Sequence, residues 1–140
     1  MILTLKGKSF MPQINIQIHD HDLLVKMIDN SSSKALIKRL KQSDIVLEMK
    51  EFANMEKFGV LDEKYPQNDE WVTTLCRDVI LSEGYLLVIY YAPNTWNFTK
   101  IGKVINVSDE EFKRILGKGN VHARIHLVKE SDMKKRRLGN

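Results

Sequence analysis

Apolar and polar residues alternate from Ile14 to His19 (Ile-Asn-Ile-Gln-Ile-His), and a period of two marks a strand with one face buried. The alternation returns in Ile45, Leu47 and Met49, set against Val46, Glu48 and Lys50, and again from Val121 to Leu127. Leu23 to Ile28 and Lys100 to Ile105 are further extended runs. Phe52 to Leu61 reads as one more, with Gly59 as a bulge or bend. Asp78 to Tyr91 carries two β-branched, aromatic-rich runs around Ser82-Glu83-Gly84, which predicts a hairpin closed by a positive φ at Gly84. Val88-Ile89-Tyr90-Tyr91 is apolar without a break, so this strand is expected to have no face in water.

The period changes twice. Asn30 and Ser31 to Ser33 supply the short side-chain oxygens that start helices. The helix that follows, Lys34 to Lys41, sets Leu36, Ile37 and Leu40 against Lys34, Lys38, Arg39 and Lys41. Ser108 to Glu111 reads as a capping box, with Phe112, Ile115 and Leu116 as the buried stripe and Gly117 as the stop. Asp62 to Glu70 is the longest irregular stretch, and Ala92 to Phe98 reads as a loop bearing aromatics. Seven or eight short strands with two short helices imply a mainly β fold, a closed or nearly closed barrel. Closure removes the aggregation-prone edges of an open sheet. The expected organisation is an N-terminal arm at 1–13, a barrel domain at 14–128 and a basic tail at 129–140.

Composition narrows the classes. With 140 residues, 43% apolar and 29% charged, the chain fits one soluble domain. No apolar run approaches the roughly 18–20 residues that span a bilayer, and the stretch from Met1 to Lys8 lacks a secretory pattern. A cytoplasmic protein with no membrane partner is expected. Cys76 is the only cysteine, which excludes an internal disulfide and a thiolate-rich zinc site. Its apolar surroundings favour packing, although Arg77 beside it would lower its pKa.

The net charge is +4, but the segment from Lys129 onward holds five basic and two acidic residues, leaving 17 and 16 elsewhere. A nucleic-acid domain carries its basic face on the folded part, so a nucleic-acid partner is not expected.

The order of the pieces resembles the bacterial cyclophilin-like proteins. The resemblance rests on Met27-Ile28-Asp29-Asn30 before a helix and on Glu48-Met49-Lys50-Glu51-Phe52 followed by Asn54-Met55-Glu56-Lys57. It continues in Arg77-Asp78-Val79-Ile80-Leu81, in Leu87 to Tyr91 and in Ile101-Gly102-Lys103-Val104. It covers residues about 14 to 107 and extends towards 128. It implies a closed eight-stranded cyclophilin-like β-barrel with one or two short helices. Arg77 is a departure, since the family usually has glycine before Asp78. True cyclophilins isomerise X–Pro bonds with an arginine near a strand start, a phenylalanine-lined pocket and a Gln-Gly-Gly-Asp segment. Those patterns are absent, and Arg77 and Arg124, the only arginines on predicted strands, lack the aromatic spacing. Fold does not transfer function.

The candidate ligand-binding residues are Glu56, Arg77, Tyr90, Tyr91, Trp96 and Phe98. Glu56, beside Lys57, is either a structural ion-pair member or a buried acid–base group. The four aromatics suit either a groove for a peptide or flat ligand, or the core. Asp78 suits a strand-end role. His19 and His21 splay on a turn, and His122 and His126 lie about 13 Å apart along a strand, so no metal and no cofactor are expected. The expected function is a small-ligand or peptide-binding module without strong catalysis. The alternatives are a peptidyl-prolyl cis-trans isomerase and a protein-interaction scaffold.

Overall fold

The computed structural model describes residues 3–5 and 8–129, with side chains from Met11 onward. In chain order the elements are β1 (Leu3–Leu5), β2 (Lys8–Phe10), β3 (Ile14–Ile18), β4 (His21–Met27), α1 (Ser31–Leu40), β5 (Ile45–Phe52) and β6 (Glu56–Val60). They continue with β7 (Glu70–Thr73), β8 (Asp78–Ser82), β9 (Leu86–Tyr90), β10 (Thr95–Val104), α2 (Asp109–Leu116) and β11 (Val121–Leu127). Within the stretch read as an N-terminal arm, β1 and β2 pair with each other. Most of the basic tail lies outside the described residues.

Eight strands close on themselves in the order β4-β3-β11-β5-β6-β9-β8-β10, every pair antiparallel. Closure is made by β10 returning to β4 through Gly102↔Met27, Lys103↔Lys26 and Val104↔Val25. Gly102 is required there: a Cβ would sit 2.4 Å from the Lys26 carbonyl oxygen. The mainly β, closed-barrel expectation is met.

The alternating apolar positions all turn inward. Ile14, Ile16, Ile18, Leu23, Val25, Met27, Ile45, Leu47, Met49, Val79, Leu81, Leu87, Ile89, Val121, Ala123 and Ile125 form one buried cluster. Leu36, Ile37 and Leu40 of α1 and Phe112, Ile115 and Leu116 of α2 pack on the same cluster. Burial of each such side chain stabilises by about 1.5–3 kcal/mol. Eight strands enclose just enough room for side chains, so this interior is solid.

A second apolar layer lies outside the cylinder. Ile80, Val88, Tyr90 and Phe98, with Met55, Phe58, Val72 and Leu86 against them, form a separate cluster. Inward Leu87 and Ile89 alternate with outward Val88 and Tyr90, and both sets are buried. This is why β9 is apolar throughout. The covering element is β7, which pairs with the first half of β10 (Thr95 to Phe98) and is the last strand of the order.

The local chemistry mostly follows the residue types, with four corrections. Glu83 and Gly84 have φ of 55° and 79°, a left-handed pair at the centre of a turn in which Tyr85 N donates to Ser82 O and three residues separate the paired Ser82 and Leu86. His19-Asp20 and Ala53-Asn54 adopt the same conformation without glycine. Ala53-Asn54 therefore splits Phe52–Leu61, which is not one extended run. Gly59 is not a bulge; it sits in regular pairing with Leu87, where a Cβ would come within 3.0 Å of Leu47 Cδ1.

The first helix starts earlier than expected, at Ser31, because Asn30 Oδ1 accepts from Ser33 N at 2.8 Å as its N-cap. Ser108 caps α2 by accepting from Glu111 N at 3.1 Å, but the Glu111 carboxylate pairs with Arg114, so the box is half formed. No helix among the described residues is long and apolar enough to cross a membrane.

Candidate functional site

The six candidate residues divide into four places. Tyr90 and Phe98 belong to the outer apolar cluster, their ring centroids 5.6 Å apart, and so do not wall a groove. Glu56 is buried beside Tyr90, its cross-strand partner. Burial pushes the Glu56 carboxyl above its ordinary range, against the pull of the Tyr90 hydroxyl. The same burial pushes Tyr90 up to about 12, and Asn94 Nδ2 donates to its hydroxyl at 3.2 Å. Neither groove described below reaches Glu56.

Tyr91 belongs to a polar knot around Lys57. Lys57 is fully buried and donates to Glu51 Oε1 (2.9 Å), Gly117 O (2.9 Å) and Gly119 O (2.6 Å). Three ammonium protons thus meet three acceptors. Tyr91 donates to the other Glu51 oxygen, and the Lys57 ammonium lies 5.9 Å from its ring centroid. The partner of Lys57 is Glu51 across the hairpin, not the adjacent Glu56. The knot fastens the turn after α2 to β6, and its groups are occupied with one another.

Arg77 stands at φ +79°, a conformation in which glycine is at ease and other residues are strained. Glycine, which the resemblance leads one to expect here, would take this angle without strain. Here the long side chain has a use: Nε donates to Asp109 Oδ1 at 2.6 Å and Nη1 to Val104 O at 2.8 Å. It ties the start of β8 to the first turn of α2, and the guanidinium holds the Asp109 carboxyl below its usual range. Arg77→Gly is expected to be about 1–2 kcal/mol more stable than Arg77→Ala. Both variants lose the ties and only alanine keeps the strain; urea denaturation of the pair checks this.

Burial, with the Asp109 carboxylate, raises the neighbouring Cys76 thiol rather than lowering it. Arg124 pairs with Asp44 at 3.2 Å. Asp78 has the strand-end role, accepting from Leu75 N at 2.7 Å and facing Lys103 Nζ at 3.5 Å.

Trp96 is exposed, and so is Trp71; their relative exposures are 60% and 65%, and their ring centroids lie 5.8 Å apart. Trp71 was not among the candidates, because β7 carries no alternation long enough to predict a strand. Beyond Trp71 along the chain, Thr73 and Leu75 line a groove of about 370 Å³ together with Lys26, Met27, Ile28, Asp78, Lys100, Gly102, Lys103 and Ile105. A second, more open depression of about 530 Å³ holds Gln17, His19, Asp20, Val46, His122, Ala123 and Arg124. Among the described residues no group of three or more His, Cys, Asp or Glu is placed to hold a metal ion.

An eight-stranded antiparallel barrel with a packed interior and two helices on its core is the cyclophilin class of barrel. Within that class, a sequence model of the cyclophilin-like family matches residues 16–126, and the chain belongs to that family. A search of curated proteins finds no match.

Proposed function

We propose that the protein is a binding module of the cyclophilin-like family, taking a small molecule or a peptide on its outer surface without strong catalysis. The observation that carries this is the Trp71–Trp96 pair, two large exposed aromatic rings packed against each other at a tilt of 44° on paired strands. Such rings offer apolar area with an N–H handle at little cost in rotamer freedom. The adjoining groove adds exposed Leu75, Ile28 and Ile105 beside lysines, the mix of apolar wall and few polar groups that ligand sites have. The isomerase reading has less support, since Arg77 and Arg124 are both engaged in ion pairs. A cytoplasmic location fits the sequence and is part of this proposal.

The test is a small-molecule and peptide screen read by thermal shift and tryptophan fluorescence. Hits should weaken about tenfold or more in Trp96→Ala and Trp71→Ala, since truncating a central aromatic of an interface commonly costs above 1 kcal/mol. Shifts that survive both substitutions would remove the aromatic surface from the reading.

A further inference from the structure

The edge of β7 carries the inference furthest. Thr74 N donates to Asn94 O at 2.8 Å, in register with Thr73↔Thr95, Val72↔Trp96, Trp71↔Asn97 and Glu70↔Phe98. Hydrogen-bonded and non-hydrogen-bonded pairs alternate along an antiparallel ladder. Val72 and Glu70 therefore bond to β10, while Trp71 and Thr73 aim their N–H and C=O groups away from it. Among the described residues no strand pairs with that side of β7. Natural edges are blunted by lysine, proline or a bulge; the sequence here is Glu-Trp-Val-Thr, regularly paired and exposed at three of its four positions.

The groove lined by Thr73 and Leu75 adds a charge. Lys26 and Lys103 are directly opposite each other on β4 and β10, and like charges so placed repel. Asp78 offsets Lys103, while Lys26 and Lys100 form no ion pair among the described residues. Three lysines against one carboxylate make the groove an anion acceptor beside an open strand edge.

We propose that β7 is a docking edge for an extended acidic peptide segment of another protein. The segment adds as a strand to Trp71 and Thr73, the mode in which backbone bonds give affinity and alternate side chains give specificity. Its acidic side chains meet Lys26, Lys100 and Lys103, and its apolar ones lie against Leu75 and Trp71. A second copy of this chain would bring the same positive groove, and the chain's own end from Lys129 is basic by sequence; both carry the wrong charge. This inference rests on the reading of the protein as a binding module and specifies its partner.

The experiment titrates a fluorescein-labelled, alternating Val–Glu octapeptide against the full chain by anisotropy. Saturable binding that weakens with salt is expected, with none for the Val–Lys counterpart. Thr73→Pro removes the outward N–H and is compatible with an edge strand; it should weaken binding about tenfold or more, whereas Thr73→Ala stays within about twofold. The octapeptide N-methylated at alternate residues should lose affinity likewise on the unaltered protein, which separates loss of binding from loss of fold.

No saturable binding of the Val–Glu peptide, or equal binding by Thr73→Pro and by the N-methylated peptide, overturns strand addition. If those changes are silent while Trp71→Ala and Trp96→Ala abolish binding, the aromatic surface stands and the docking edge falls. If the tryptophan variants bind normally and Thr73→Pro does not, the docking edge stands without the aromatic platform.

Discussion

Lys57→Met is expected to destabilise the protein by about 3–5 kcal/mol, the range for removing one partner of a buried ion pair. Methionine is close in length, so the effect is chiefly electrostatic. The carbonyls of Gly117 and Gly119 and one oxygen of Glu51 lose their donor, and unpaired buried acceptors are costly. The pH dependence has a definite sign. Burial works to raise the Glu51 carboxyl, but hydrogen bonds from Tyr91 and Lys57 outweigh it and hold the group below its usual range. A carboxylate depressed on folding contributes stability above its unfolded pKa, and that contribution is lost as the pH falls through the folded value. The gap between wild type and Lys57→Met should therefore be full at neutral pH and narrow on acidification. Guanidinium denaturation across pH 3–8 measures it, and a gap that does not change with pH would assign the cost to packing alone.

Gly102→Ala is expected to cost about 3 kcal/mol, near the upper end of the range for overpacking a filled site. The new methyl would lie 2.4 Å from Lys26 O and 2.7 Å from Val25 Cγ1. The first is backbone in the seam that closes the barrel, so relief requires β4 and β10 to separate. Gly59→Ala is the control: the nearest atoms to its Cβ belong to the Leu47 and Met49 side chains, at 3.0 Å and beyond, and need give by only a few tenths of an ångström, so its cost should stay near about 1 kcal/mol, the lower end of that range. Thermal melts of the two variants side by side test the contrast. Equal melting temperatures would mean that the seam is more compliant than its geometry implies.

Much of the cylinder was legible because its strands bury one face, and burial of one face writes a period of two. Ile14-Ile16-Ile18 and Val121-Ala123-Ile125 are read directly, and the cap residues Asn30 and Ser108 announce both helices. The hairpin at Glu83-Gly84 was visible through its glycine. The one at Ala53-Asn54 was not, since nothing in alanine's chemistry signals a positive φ. Val88 to Tyr91 was legible as doubly buried, but not what buried it, because the outer layer is built from residues far apart in sequence such as Val72 and Phe98.

The candidate site was less legible. Trp96 was singled out from its loop-like surroundings, although it lies in β10. Its neighbour Trp71 sits in a four-residue strand too short to show a period. Tyr90 and Phe98 carry the same residue types as a groove wall and occupy the packed layer instead. Lys57 finds its partner through a hairpin turn that the sequence did not reveal. Arg77 was marked as a departure from the glycine that the resemblance implies, and its positive φ is a backbone position where glycine is at ease.

The solid interior of the barrel has a consequence for how recognition can change. With Ile, Leu, Val and Met side chains filling the lumen, no guest can lodge there without expelling part of the framework. Contacts with a partner then fall on the outer wall, where exposed side chains such as Trp71, Trp96 and Leu75 stand apart from the filled lumen. The exposed side chains that meet a partner and the buried ones that fill the cylinder are thus largely different residues, so the first can change with little disturbance of the second.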